Sequence, residues 1–194
     1  DIGILDNIVT HCVMFNKDMI KDKKLENPYE MVRNNTWTLD NFISFVKLVG
    51  NDLDGNTVMN EKDEYGLLTW NDSMYSMLGS AQIKICSVNS NGDLELTINN
   101  EKTFSLLSKY IALVADKNHV YNYQVLPSGQ WDTVRVAMFD NNQALFSYTS
   151  FNTVPKHRNS NTDFGILPFP KLDENQENYT GTSGMFSNMF FCCN

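Results

Sequence analysis

The pattern of apolar and polar positions predicts short buried strands separated by amphipathic helices. An apolar run from Ile8 to Phe15 is closed by Asn16-Lys17-Asp18, which suits a buried strand that ends where a helix begins. Tyr65–Trp70 and Ala144–Tyr148 are also rich in strand formers. The pattern predicts a helix-rich lobe with short strands.

Two helices are predicted early in the chain. Asn27 precedes a proline and is followed by Glu30, which indicates a capped helix start. Thr38 is a second N-cap, and Gly50 is expected to stop that helix. The apolar face of the second helix consists of Phe42, Phe45, Val46 and Val49.

A hairpin and a longer helix follow near the middle of the chain. Gln82–Cys86 and Leu94–Ile98 alternate like half-buried strands around the turn Asn89–Asp93. Asn100 caps the clearest helix of the chain. Its predicted core stripe is Phe104, Leu107, Ile111 and Val114, and we expect Phe104, Leu107 and Ile111 to share one core with Phe42 and Phe45.

An acidic loop, Asp52–Asp63, is the most specific chemical signal. Its oxygen-bearing groups have the spacing with which one loop wraps Ca²⁺: Asp52, Asp54, Asn56, the Val58 carbonyl, Asn60 and Asp63. Thr57 stands where such loops usually have glycine, and Asp63 stands where they usually have glutamate. The prediction is therefore a weak structural calcium site. A solvated turn rich in Asp and Asn is the alternative.

Composition and charge exclude several classes of protein. The 194 residues are 42% hydrophobic and 20% charged, which is typical of globular chains. A formal net charge of −8 argues against nucleic acid and anionic membranes as partners, because phosphate binding depends on Lys and Arg.

Cys12 and Cys86 are isolated in apolar surroundings and are predicted to be small buried residues. The spacing of cysteines and histidines favours neither a disulfide framework nor a zinc site.

The segment from Trp70 to Tyr75 is the candidate ligand contact. A predicted strand ends at Trp70, and Asn71-Asp72-Ser73 begins a new helix. Trp70 and Tyr75 could stack on sugar rings while Asn71 and Asp72 bind hydroxyl groups. Burial of Trp70 as an ordinary core residue is the alternative.

Several segments resemble one protein family when they are taken in order. They are Asn27–Glu30, Thr36–Phe42, the acidic loop, Asp63–Gly66, Phe139–Phe146, Asp163–Lys171 and Asp173–Tyr179. Together they are similar to the family 1 extracellular solute-binding proteins, the carbohydrate-binding lipoproteins of bacterial ABC importers. The resemblance implies an α/β fold of the periplasmic-binding-protein-like type II, with this chain as a helix-rich C-terminal lobe fragment that has short strands and hinge segments.

The resemblance also implies how the chain fits into such a protein. Residues 1–194 would be a single lobe, with hinge crossings at 8–16 and 163–170 and an uncertain tail at 181–194. The chain opens without a signal peptide or a lipobox cysteine, so we expect it to be a piece of a longer protein. The resemblance alone implies that the protein captures a carbohydrate, has ABC permease partners and is a monomer. It also implies an extracellular lipoprotein that is attached to the membrane only by a lipid anchor.

An enzyme and a structural module are the alternatives to a binding protein. The chain has no GxSxG, HExxH or phosphate-binding glycine motif. A glycan-active enzyme could still use two carboxylates, but the clustered carboxylates fall in the calcium-like loop. A structural or adhesive calcium module would show a large exposed apolar patch in place of a cleft. The sequence favours a sugar-binding protein that is not an enzyme.

Overall fold

The computed structural model describes residues 8–183 and is built on one mixed sheet of six strands. The strands in these residues are β1 His11–Asn16, β2 Gly50–Asn51, β3 Glu64–Thr69, β4 Cys86–Val88, β5 Leu94–Leu96, β6 Val120–Asn122, β7 Ala144–Ser150 and β8 Phe164–Leu167. The sheet runs β2-β3-β7-β1-β8, and β6 also pairs with β3. β3 is parallel to both β6 and β7, whereas β1 is antiparallel to its neighbours β7 and β8. β4 and β5 form a separate antiparallel hairpin.

Within residues 8–183 six α-helices connect the strands, and three of them start at predicted caps. The helices are α1 Lys17–Asp22, α2 Pro28–Arg33, α3 Leu39–Val46, α4 Ser73–Ser80, α5 Glu101–Val114 and α6 Trp131–Asp140. The side chains of Asn27, Thr38 and Asn100 accept backbone N–H groups at the starts of α2, α3 and α5, so these three predictions are confirmed. Within the part of the chain that is described, no helix is both long and apolar enough to cross a lipid bilayer.

Apolar side chains pack against both faces of the sheet. Val13 and Phe15 of β1 belong to the larger core, which contains the buried faces of α3, α4 and α5. Met14 points to the opposite face and packs with Met138 and Phe139 of α6. This alternation is expected for a central strand that is covered on both faces. The α/β fold class predicted from the sequence is confirmed.

The predicted core stripe of α5 is wrong. Phe104 and Ile111 are 61% and 56% exposed. The helix does pack into the same core as Phe42, but through a neighbouring face that consists of Thr103, Leu106, Tyr110 and Leu113. Both stripes have helical spacing. The buried one includes a threonine and a tyrosine, so it is less apolar in the sequence.

Three other local predictions also need correction. Gly50 does not end α3 but begins β2, where a Cβ atom would lie 2.3 Å from the carbonyl oxygen of Asn118. The β4–β5 hairpin exists, but its strands are largely exposed rather than half-buried. Cys86 is exposed as a result, whereas Cys12 is buried as predicted.

The two segments predicted to be hinge crossings lie side by side in the sheet. Val13 pairs with Leu167, and Phe15 pairs with Gly165. The assignment of 8–16 and 163–170 as hinges, and of the chain as a single lobe, remains a prediction. The predicted tail 181–194 falls largely outside the described residues.

Candidate ligand-binding site

The carboxyl ends of three parallel strands meet at one edge of the sheet. β3 ends before Trp70, β6 ends before Tyr123 and β7 ends at Ser150. His11 opens the antiparallel strand β1 at the same edge, because it is paired with Ser150. Such an edge is where open α/β sheets bind ligands, since loops and helix starts replace regular backbone pairing there.

An apolar cavity of about 310 Å³ lies on one side of Trp70 at this edge. Tyr75, Leu78, Ile83 and Ile85 form its apolar wall, and Thr182 and Ser183 lie at its margin. Tyr75 is 49% exposed. Asp72 also lines this cavity, and its side chain makes no capping hydrogen bond to α4. The cavity therefore combines an aromatic and aliphatic wall with one carboxylate.

A polar cavity of about 270 Å³ lies on the other side of Trp70. Its walls include Tyr123, Asp132, Arg135, Lys156 and a group of polar residues that follow or end β7, namely Thr149, Ser150, Asn152 and Thr153. His11 and Trp70 line both cavities and form the ridge between them.

An ion-pair network organises the polar cavity. Arg135 donates from Nη1 to Thr149 Oγ1 at 2.7 Å and from Nη2 to Asp132, and its guanidinium lies 5.3 Å from the centre of the Tyr123 ring. Lys156 Nζ donates to the second oxygen of Asp132 at 2.6 Å. Burial by itself would raise the pKa of Asp132, but the hydrogen bonds and charges of Lys156 and Arg135 outweigh it and lower that pKa. Asp132 therefore remains a carboxylate.

His11 is held in place within the ridge. Its Nδ1 atom is hydrogen-bonded to Ser76 Oγ of α4. Burial lowers the pKa of the imidazole, and the negative charge of Asp72 offsets part of that effect. The neutral imidazole is therefore favoured at neutral pH.

The acidic loop lies at the opposite end of β3 from these cavities. It ends immediately before Glu64, whereas Trp70 follows the last residue of the strand. Six residues of strand separate the two by roughly 20 Å. A cation in the loop would therefore act on stability and would not touch a ligand beside Trp70.

The structure brings three carboxylates of the acidic loop together. Oxygen atoms of Asp52, Asp54 and Asp63 lie within 4.8 Å of one another. Asp63 is fully buried, and its two oxygens accept the N–H groups of Leu53 and Asn60 at 2.9 and 2.8 Å. An all-oxygen set of this kind fits the ligand preference of Ca²⁺.

The other predicted calcium ligands make hydrogen bonds inside the loop. Asn56 Oδ1 accepts the N–H of Val58, Asn60 Oδ1 accepts that of Lys62, and the Val58 carbonyl accepts from Asn60 Nδ2. Thr57 has a φ angle of 67°, in the left-handed region that glycine occupies at lowest cost. Thr57 thus adopts the backbone conformation that a glycine at this position of a calcium loop would favour.

Comparison with solved structures shows the fold. No protein-family model and no curated protein matches the sequence. The chain is similar to the ABC substrate-binding protein Lmo0181 from Listeria monocytogenes, solved in complex with cycloalternan, with 18% identity and a TM-score of 0.61. The maltose/maltodextrin-binding domain MalE from Bdellovibrio bacteriovorus, bound to maltotriose, gives 14% and 0.59, and UspC from M. tuberculosis gives 13% and 0.57. The chain has a periplasmic-binding-protein-like fold.

The chain spans less than half the length of these neighbours. It is covered to 94%, 90% and 94% by the three structures, but it covers only 44%, 41% and 48% of them. The sequence-based prediction that the chain resembles ABC solute-binding proteins is confirmed at the level of the fold.

Three of the four predicted ligand-contact residues line the apolar cavity. They are Trp70, Asp72 and Tyr75. Asn71 lines neither cavity. Its Oδ1 accepts from Asn122 Nδ2 at 2.6 Å and its N–H donates to Gln124, so it ties the end of β3 to the end of β6. Whether any of these residues contacts a ligand remains a prediction.

The polar side of the edge contains two cationic residues, Arg135 and Lys156, that are not among the sequence-predicted ligand contacts. Lys156 lies in a short 3₁₀ helix, Val154–His157, and pairs with Asp132. In the sequence Arg135 lies four residues after Trp131 and three before Met138, so helical spacing places it in one stripe with these two apolar residues. A charged residue in such a stripe indicates a buried ionic contact.

Proposed function

We propose that this chain forms one wall of a carbohydrate-binding cleft in the binding component of an ABC importer. The observation that carries the proposal is the pair of cavities on the two sides of the Trp70–His11 ridge. The ridge lies at the carboxyl edge of the sheet, where the fold binds ligands. Two of the neighbours with this fold are described with bound saccharides.

The chemistry of the edge suits a saccharide. The Trp70 indole and the exposed Tyr75 ring can pack against the C–H faces of pyranose rings. Asp72, Asp132 and Lys156 offer acceptors and donors for hydroxyl groups. A binding site of this kind combines broad apolar contact with a few fixed polar groups.

Binding without catalysis accounts for the carboxylates better than hydrolysis does. Asp132 is engaged by two cations, which favours its ionised form and disfavours a role as general acid. Asp72 belongs to the other cavity, across the Trp70–His11 ridge. The neighbours by fold are substrate-binding proteins. A chain that releases reducing ends from an oligosaccharide would contradict this part of the proposal.

We further propose that the acidic loop holds a structural calcium ion. The three clustered carboxylates would supply half of the predicted ligands, and Asn56, Asn60 and the Val58 carbonyl would supply the other half. The ion would neutralise charge repulsion among the carboxylates and so stabilise the approach to β3. It would supply no chemistry to the cleft.

The setting of the protein follows from the proposed role. A carbohydrate importer captures its sugar outside the cytoplasmic membrane, so we propose an extracellular location and permease subunits as partners. Attachment through a lipid anchor and a monomeric state belong to the same proposal. Closure of a second lobe over the Trp70 edge would complete the cleft by hinge motion.

Ligand-observed NMR can test sugar binding, because it detects the weak affinity expected of half a cleft. Maltotriose and cycloalternan serve as probes, since they occupy the neighbouring proteins. We expect saturation transfer from the chain to at least one of the two sugars. The transfer should be weaker in the Trp70→Ala variant. A panel of neutral and acidic sugars that all give no transfer would overturn the proposal.

A further inference from the structure

The polar cavity contains more positive than negative side chains. Arg135 and Lys156 line it together with Asp132. Asp72, the other carboxylate close to Trp70, lines the apolar cavity instead. The chain as a whole has a formal net charge of −8, so the sign of this cavity is opposite to that of the protein.

Arg135 is a built part of the cavity wall. Its side chain is only 7% exposed, and its Nε–H group is buried without a hydrogen-bond acceptor. The carboxylate that pairs with it, Asp132, is 61% exposed and is therefore strongly hydrated. A buried guanidinium that is only partly compensated creates a positive potential in the space beside it.

Lys156 supplies the contact that a ligand can reach. Its side chain is 46% exposed. An ammonium group has three N–H donors, and the hydrogen bond to Asp132 uses one of them. The remaining donors can be directed towards an acceptor in the cavity.

We infer that the polar cavity binds the anionic group of an acidic saccharide. The sugar ring packs on Trp70, and a carboxylate or sulfate ester faces the Lys156 ammonium within the field of Arg135. The inference rests on the proposed function, since it specifies the class of sugar that the cleft takes. A single anionic group matches the excess of one positive charge.

Three sugars that differ at one position provide the direct test. Galactose, galacturonate and galactose 6-sulfate share a ring and differ at carbon 6. Titration of each into the chain, followed by ligand-observed NMR, should show about 3- to 10-fold tighter binding of at least one acidic sugar, because charged hydrogen bonds are stronger than neutral ones. A preference for galacturonate would assign the carboxylate, and a preference for the sulfate ester would assign the sulfate. Added salt should reduce the difference.

Two lysines allow a matched comparison. Lys109 pairs with Asp40 on the surface at 2.7 Å and is 37% exposed, much like Lys156 with Asp132. Lys156→Met should abolish the preference for the acidic sugar, Lys156→Arg should retain most of it, and Lys109→Met should leave it unchanged. Equal losses in both methionine variants would show a general charge effect and would overturn the inference.

The outcomes separate this inference from the proposed function. Equal or tighter binding of galactose relative to both acidic sugars would overturn the acidic class and leave sugar binding in place. Absence of binding by all three, together with maltotriose and cycloalternan, would overturn both. Since the comparison among sugars uses the unaltered chain, it does not depend on the folding of any variant.

Discussion

The imidazole of His11 meets the indole of Trp70 edge-on, with ring centroids 5.5 Å apart and planes at 87°. His11 is the first residue of β1, and Trp70 follows the last residue of β3. These two strands are not neighbours, because β7 lies between them. The contact therefore forms at the edge of the sheet. It creates the ridge that divides the apolar cavity from the polar cavity.

Truncation of Trp70 should weaken sugar binding more than it weakens the fold. Trp70 is half-buried and lines both cavities. Trp70→Ala should reduce affinity by about 1–3 kcal/mol, from lost apolar contact and stacking. Affinity can be followed by ligand-observed NMR and stability by urea unfolding.

Trp37 is the matched control for this prediction. It is fully buried in the larger core, packs against Phe42 and Phe146, and donates from Nε1 to the Pro168 carbonyl at 3.0 Å. Trp37→Ala should cost about 3–5 kcal/mol of unfolding free energy. If Trp70→Ala costs as much, Trp70 is a core residue and its assignment to the cleft is wrong.

Protonation of His11 should destabilise the folded chain as the pH falls. Its pKa in the folded state lies below the ordinary value of 6.5, so the unfolded chain takes up the proton first. The corresponding stability is fully present above pH 6.5 and is lost as the pH falls through the folded pKa. Urea unfolding of the natural chain and of His11→Gln, between about pH 8 and pH 5, measures it.

The difference between those two proteins isolates the histidine. Carboxylates titrate in both, so their contribution cancels in the difference. The unfolding free energy of the natural chain should decline more steeply than that of His11→Gln. Parallel curves for the two proteins would show that the environment of His11 does not disfavour its charge.

Removal of one carboxylate from the acidic loop tests the calcium proposal. Asp54 is exposed, and its oxygens accept from the backbone N–H and the Nδ2 atom of Asn56. Asp54→Ala should lower the melting temperature in the presence of calcium and leave it unchanged in a chelator, because the lost ligand matters only when the ion is bound. Thermal unfolding by circular dichroism in both buffers provides the measurement.

Asp173 supplies the control for the local turn. It accepts the N–H of the residue two positions later at 2.9 Å, as Asp54 does at 3.1 Å, but it lies outside the acidic loop. Asp173→Ala should change the melting temperature equally with and without calcium. The same behaviour in Asp54→Ala would count against coordination.

Truncation on the two stripes of α5 should affect stability to very different extents. Leu106 is fully buried against the sheet core, whereas Phe104 is 61% exposed. Leu106→Ala should cost about 2–5 kcal/mol of unfolding free energy, from lost transfer energy and a residual cavity. Phe104→Ala should change it by no more than about 0.5 kcal/mol. A larger loss in Phe104→Ala would mean that this face is covered in solution.

The local elements of this protein are determined by the sequence itself. Asn27, Thr38 and Asn100 begin their helices because each side chain accepts an N–H group only two or three residues away. The strands from Tyr65 and from Ala144 follow from continuous apolar runs that are buried on both faces of the sheet. Contacts of this range require no knowledge of the rest of the fold.

Only the tertiary structure decided which face of α5 is buried and which residues meet at the ligand edge. Tyr110 turns inwards because its hydroxyl group finds Ser73 on another helix start, a partner that no local pattern reveals. Arg135 can be buried because Thr149 and Asp132 accept its donors. Local periodicity shows which residues share a face, but burial of a polar group depends on partners that come from distant parts of the chain.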